Sequence, residues 1–145
     1  MAEVRASYTD SFGHAFDAKG RITVPAEWRD EPFEKSLFVF PSKDRCLRVY
    51  PASWLGRLQE DVAHLKSADP HRKGVEDLAM TAQSATFDTQ GRIMVKEKLR
   101  ESASLKKEAV LVGRLDHFQI WDKAEWARKA AATMTVEDAL DAIGK

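Results

Sequence analysis

The chain repeats itself, and this limits what it can fold into more than any other feature. Residues 16–29 read FDAKGRITVPAEWR and residues 87–100 read FDTQGRIMVKEKLR. At a fixed offset of 71, seven of the fourteen pairs are identical: Phe16/Phe87, Asp17/Asp88, Gly20/Gly91, Arg21/Arg92, Ile22/Ile93, Val24/Val95 and Arg29/Arg100. Unrelated segments would share roughly one. The pattern continues downstream. Phe38-Val39-Phe40, Leu47-Arg48-Val49-Tyr50 and Trp54 have counterparts in Val110-Leu111-Val112, Phe118-Gln119-Ile120-Trp121 and Trp126. Two copies are too few for a solenoid and suit a pseudo-symmetric pair sharing one core. The expected organisation is a first repeat with its helix over 1–66, a connector over 67–84, a second repeat with its helix over 85–132, and a tail over 133–145. All of it forms one pseudo-symmetric domain.

Turn chemistry and periodicity place the elements. Asp17-Ala18-Lys19-Gly20 puts Asp first and Gly fourth. An Asp carboxylate accepts from the backbone two residues on, and Gly tolerates positive φ. This predicts a type I turn with a Gly bulge joining a hairpin of strands Ser11–Phe16 and Arg21–Val24. Alternation sets Ile22 and Val24 on one face, Arg21 and Thr23 on the other. Pro25 stops the strand and opens a short helix to Asp30. A second hairpin pairs Leu37–Phe40 with Cys46–Tyr50. A helix from Pro51 then carries Trp54, Leu58, Val62 and Leu65 at helical spacing. Ser67-Ala68-Asp69-Pro70 ends it. The second copy repeats the turn at Asp88–Gly91, the short helix at Lys96–Ser102, and a hairpin of Glu108–Gly113 with His117–Trp121. Asp122 and Glu125 form a capping box for the helix of Trp126. Thr135 and Asp138 start a last short helix, after the alanine-rich stretch Ala127–Ala132.

Charge narrows the partner. Lys and Arg number 23 and Asp and Glu number 23, so the net charge is zero. That excludes a polybasic coat, but not a local basic patch. From Arg92 to Lys107 there are six basic and two acidic residues, +4 in sixteen. The first copy is less basic: Arg21 and Arg29 stand with Glu27, Asp30 and Glu31. Cys46 is the single cysteine. It supports neither a disulfide framework nor a Cys-rich zinc site, and is expected as buried packing. The start, Met1-Ala2-Glu3-Val4-Arg5-Ala6-Ser7, lacks a signal peptide's apolar core. No apolar run approaches bilayer length. A soluble cytoplasmic protein is expected.

Few residues offer chemistry. His14, His64, His71 and His117 lack metal-ligand spacing, no glycine-rich phosphate loop occurs, and Asp17 with Asp88 has no evident cleft for acid–base work. No catalytic residue, metal or cofactor is predicted. Trp28, Trp54, Trp121 and Trp126 fall at apolar positions and belong to the core. Asp17, Gly20, Asp88 and Gly91 are explained as turn formers. Arg21 and Arg92 are not. They flank the turn tips on the face opposite the apolar residues, and paired guanidinium forks suit phosphates or guanine edges. Lys19 and Gln90 occupy the equivalent turn positions.

His14-Ala15-Phe16-Asp17-Ala18-Lys19-Gly20-Arg21-Ile22-Thr23-Val24-Pro25-Ala26-Glu27-Trp28-Arg29 and Asp88-Thr89-Gln90-Gly91-Arg92-Ile93-Met94-Val95 together resemble the MraZ family, within the AbrB-like (SpoVT/AbrB) superfamily. Cys46-Leu47-Arg48-Val49-Tyr50-Pro51 with Trp54 agrees, as does Glu108–Gly113 running to Phe118–Trp121. The resemblance covers roughly residues 8–128. It implies an α+β, mainly β fold, a double-split β-barrel from two AbrB-like half-repeats with flanking helices. It also implies a transcriptional regulator tied to the division and cell-wall gene cluster, nucleoid-associated, binding short direct repeats in double-stranded promoter DNA as a ring-shaped homo-oligomer. Lys19, Arg21 and Arg92 would face DNA, with Gln90, Lys96, Arg29 and Arg100 as further candidates. Neither a membrane nor a small-molecule substrate is implied. Lys96 stands where the family usually keeps Pro, and Leu78–Ser84 lacks the expected aromatic character.

Two other classes remain: a ring-forming structural module without DNA binding, and an antitoxin-like regulator. The first is favoured if Arg21 and Arg92 are buried in ion pairs with Asp17 and Asp88. The second expects a long toxin-binding tail, and Thr133–Lys145 is short for one.

Overall fold

The structure is a computed structural model that describes residues 5–130 and 133–144. Met1–Val4 of the start, Ala131 and Ala132 of the alanine-rich stretch, and Lys145 of the tail lie outside the described residues. The first copy supplies strands β1 (Ser11–Ala15), β2 (Arg21–Thr23), β3 (Ser36–Pro41) and β4 (Leu47–Pro51) and helix α1 (Ala52–Val62), with a 3-10 turn at Ala26–Trp28. Helix α2 (Pro70–Thr81) precedes the second copy's β5 (Gln83–Thr86), β6 (Arg92–Met94), α3 (Glu97–Ser102), β7 (Glu108–Gly113), β8 (Phe118–Asp122) and α4 (Lys123–Lys129). Helix α5 (Val136–Ala142) follows. The class is α+β, built on a six-stranded antiparallel sheet in the order β1-β7-β8-β4-β3-β5 and a two-stranded ribbon of β2 and β6.

The two copies interlock. β1 of the first copy pairs with β7 of the second, and β5 of the second pairs with β3 of the first. β2 pairs with β6, and β4 with β8. The expected hairpin of β1 with β2 is therefore corrected. Its turn forms: Gly20 N–H donates to the Asp17 carbonyl at 3.0 Å and Asp17 N–H to the Arg21 carbonyl at 2.9 Å. Beyond the turn the strands part, each to a partner from the other copy. Alternation fixes which side chains share a face, but it carries no information about which edge a strand pairs with.

Three further expectations change. The segment read as connector holds α2, a full helix, begun by Asp69, whose carboxylate accepts from His71 N–H at 2.8 Å, and by Pro70 in its first turn. That Asp-Pro pair, expected to end the preceding helix, is equally a helix-start signal. Helix α1 ends at Val62, so Leu65 lies beyond it. Asp122 caps α4 by accepting from Ala124 N–H at 3.2 Å, but the box is not closed: Glu125 pairs with Arg128 instead. A closed capping box does form at Thr135 and Asp138.

The core lies between the six-stranded sheet and the ribbon. Ile22, Val24, Ile93 and Val95 meet Leu37, Val39, Leu47, Val49, Leu111 and Ile120, all fully buried. Trp28 seals one end against Tyr8, Phe12 and Phe118, with ring centroids 5.0–5.6 Å apart. Every residue of β8 is buried, as expected of a strand covered on both faces. On its other side Trp121 packs with Cys46 and Val112, and Trp126 lies against it. Burial raises the Cys46 thiol above its ordinary range. Trp54 is half-buried and stacks on Tyr50 at 3.8 Å. Packing of Ile22 against the core leaves the opposite face of the ribbon outward, and this face carries the candidate site.

Candidate nucleic-acid interface

The two turns are built alike, atom for atom. Asp17 Oδ1 accepts from Lys19 N–H at 3.0 Å and Arg21 N–H at 2.8 Å, and Asp17 Oδ2 takes the Arg21 Nε–H at 2.7 Å. Asp88 Oδ1 accepts from Gln90 and Arg92 N–H, both at 2.9 Å, and its Oδ2 takes the Arg92 Nε–H at 2.8 Å. Asp17 Oδ2 also lies 3.7 Å from Arg92 Nη1, so one carboxylate touches both guanidinium groups. The aspartates are more than turn formers, since each also aims the arginine four residues on.

Arg21 and Arg92 are thus neither free nor buried. Their side chains are 32% and 22% exposed. Each is tethered through Nε, and its Nη atoms make no hydrogen bond among the described residues. Among the described residues no fully buried side-chain nitrogen or oxygen goes unpartnered, so these Nη groups reach solvent. A guanidinium held through one edge keeps donors for a second partner. The ion pairs leave the donor face open, which does not favour a purely structural role.

The glycines meet a second demand, from the other copy, besides the local one of the turn. Gly20 and Gly91 have φ of +81° and +77°. A Cβ on Gly91 would sit 2.3 Å from Arg29 Cζ, and one on Gly20 would sit 2.9 Å from Arg100 Nη2. Each arginine covers the opposite copy's turn and donates its Nε–H to its own strand end: Arg29 to the Val24 carbonyl at 2.8 Å, Arg100 to Val95 at 3.0 Å. Backbone bonds close the exchange, from Val24 N–H to the Gly91 carbonyl at 3.0 Å and from Val95 N–H to that of Gly20 at 2.9 Å. Arg29 and Arg100 lock the two turns together.

Lys19, Gln90 and Lys96 are exposed. The basic run of the second copy comes to rest beside the first copy's turn. Arg100, Lys106 and Lys107 line a groove of about 470 Å³ with Asp17 and Ala18. Phe16 N–H donates to the Lys107 carbonyl at 2.8 Å. The first copy's shortage of cations is therefore made good across the interface between repeats, which sequence order alone does not reveal.

The ribbon carries these groups outward. Ile22 and Ile93 point to the core, while Arg21, Thr23, Arg92 and Met94 occupy the outer face. Met94 is 47% exposed and had not been singled out from sequence. Its signal was available, since it takes the place of Thr23 at the repeat offset.

Backbone donation from Arg21 to Asp17, and from Arg92 to Asp88, holds both carboxyls below the ordinary aspartate range; the guanidinium bonds add to this. A depressed carboxylate contributes stability above its unfolded pKa of about 3.9, and that stability is lost as pH falls through and below it. The D17N/D88N double variant is therefore expected to be less stable at neutral pH, with a flatter loss of stability between about pH 5 and pH 2. Urea midpoints across that range measure it. A wild-type slope in the variant would contradict the assignment.

A tandem ribbon of paired Asp–Arg turns on an α+β scaffold defines a class: two-copy proteins with a polar, partly cationic ribbon on their surface. The sequence profile of the family described as "MraZ protein, putative antitoxin-like" matches residues 8–76 and 78–141, one stretch per copy. The chain belongs to this family. Relatives named "Transcriptional regulator MraZ" include one from Pediococcus pentosaceus, 37% identical over 120 residues, covering 82% of this chain and 83% of the relative. One from Corynebacterium urealyticum is 38% identical over 123 residues (84% and 85%). Another from Nitrosomonas europaea is 31% identical over 128 residues (86% of each). Among the described residues, no helix is long and apolar enough to cross a membrane.

Proposed function

We propose that this chain is a sequence-specific DNA-binding transcriptional regulator whose β2–β6 ribbon enters the major groove. The observation that carries this is the outer face of the ribbon, where two tethered arginines keep their Nη donors open. A two-stranded ribbon fits the major groove, and an Arg fork matches the O6 and N7 of guanine. Lys19, Lys96, Lys106 and Lys107 contact phosphates on either side, fixing register without reading sequence. The naming of the relatives as transcriptional regulators supports the same role. No catalytic step is part of it.

The finer reading follows the family resemblance. The ribbon and the six-stranded sheet correspond to a double-split barrel. Copies of the chain assemble into a ring and engage repeated promoter sites of the division and cell-wall cluster, in the cytoplasm at the nucleoid. With zero net charge and few cations at the ribbon face, a single protomer binds weakly. A ring gains affinity because each further contact is intramolecular.

Fluorescence anisotropy with a duplex enriched from a random pool, against a scrambled duplex, tests the function. Binding to the enriched duplex is expected to be at least about a thousandfold tighter. Affinity for both falls steeply with salt as counterions are released. Equal binding to the two duplexes would remove the sequence-specific role.

A further inference from the structure

We propose that the ribbon reads a DNA unit with two unlike halves, and that Thr23 and Met94, with Lys19 and Gln90 at the tips, make the halves differ. This rests on the DNA-binding reading above. In the ribbon Arg21 faces Met94, Ile22 faces Ile93 and Thr23 faces Arg92. The repeat offset carries Arg21 to Arg92, Ile22 to Ile93 and Thr23 to Met94. Register and offset together define a local dyad through the Ile22–Ile93 pair.

Duplex DNA has dyads of its own, and a two-fold reader seated on one asks for the same base on each side. Site symmetry then mirrors protein symmetry. Arg21 and Arg92 obey the dyad. They are the same residue, tethered the same way at 2.7 and 2.8 Å, so they ask for the same base edge in both halves.

The remaining outward residues break it. Thr23 offers a hydroxyl that donates or accepts, together with a methyl group. Met94 offers a flexible apolar chain, 47% exposed, suited to the thymine methyl group and to no polar base edge. Residues two apart on a strand share a face and lie about 6.6 Å apart. That is close to the rise of two base pairs, at about 3.4 Å each. Each arginine is thus followed along the groove by a second reader, Thr on one side and Met on the other. The tips differ too. Lys19 brings a cation to one flanking phosphate where Gln90 brings a neutral amide. Arg92 Nη1 reaches across to Asp17 Oδ2 at 3.7 Å, whereas no Arg21–Asp88 ion pair mirrors it among the described residues. Every one of these differences has the same effect: it gives the bound site a direction.

Selection from a random duplex pool tests this with four full-length proteins: wild type, M94T, Q90K/M94T and T23M. Met94 is exposed and Thr is a good strand former, so M94T keeps its fold, which circular dichroism checks. Wild type is expected to enrich a unit with unlike halves. Q90K/M94T matches the Lys19–Gln90 pair at the tips and the Thr23–Met94 pair on the ribbon, and is expected to enrich an inverted repeat of the Thr-side half. T23M, which leaves Lys19 opposite Gln90, is expected to change base preference in the Thr-side half toward that of the Met-side half without making the flanks alike, and M94T to shift base preference about fivefold or more at positions in the other half only. The inference is overturned if all four proteins enrich the same unit, or if the wild-type unit is already an inverted repeat. Enrichment of no sequence by any of them would instead sink the DNA-binding reading itself.

Discussion

Replacing both Arg21 and Arg92 with Gln is expected to lower affinity for an enriched duplex by at least about 30-fold, because each well-placed arginine fork contributes about 1–3 kcal/mol of discrimination. Loss of folding does not explain such a result. The two side chains are 32% and 22% exposed, and both carboxylates keep two backbone N–H donors when the guanidinium leaves. Lysine in the same places sharpens the test. It keeps the charge but lacks the planar fork and the Nε tether. R21K/R92K should therefore retain most of the salt dependence while losing most of the preference for the enriched duplex over a scrambled one. Anisotropy titrations at two salt concentrations measure both quantities. Wild-type discrimination by the glutamine variant would place recognition elsewhere.

The second large effect is on stability. Gly91→Ala is expected to cost about 3 kcal/mol. A residue with a Cβ pays about 1–2 kcal/mol in the left-handed region. The new methyl would also meet Arg29 Cζ at 2.3 Å, displacing a side chain whose Nε–H holds the Val24 carbonyl at 2.8 Å. A hydrogen bond from a charged group is worth about 1.5–3 kcal/mol. Gly20→Ala should cost less, because its Cβ would come no nearer than 2.9 Å to Arg100. Urea denaturation gives the order of the two. Combining R29A with G91A checks the mechanism: residues in contact are not additive, so the pair should cost less than the sum of the single changes. Full additivity would mean that Arg29 does not cover Gly91.

Much of the fold was legible. The hairpins β3–β4 and β7–β8 were read correctly because each closes locally, with a turn between two short apolar strands. The Asp-x-x-Gly turns were read correctly for the same reason, since a carboxylate two residues from an N–H needs nothing distant. The destination of β1 and β2 was not legible. Their partners come from the other copy, and strands of three and five residues say nothing about which edge they meet. The site was legible in part. Lys19, Arg21 and Arg92 stood out because the motif recurs. Their tethering to Asp17 and Asp88 is local and was open to sequence reading. Arg29 and Arg100 are conserved between the copies for a cross-copy reason that no window of sequence contains. Met94 is legible only through the repeat offset, which sets it at the place of outward-facing Thr23.

The sequence by itself determined that two like units fold together, that each carries a tight Asp–Gly turn with an arginine beside it, and that Ile22 and Ile93 face inward. These follow from interactions spanning at most a few residues: turn hydrogen bonds, positive φ at glycine, and the two-residue period of a strand. Only the tertiary structure decided that the arginines share one ribbon face, that Lys106 and Lys107 of one copy serve the turn of the other, and that Arg29 and Arg100 clamp the opposite glycines. Those outcomes depend on how the apolar faces of both copies bury each other. That burial is non-directional and cooperative over the whole chain, so it is settled only when all the strands have found their partners.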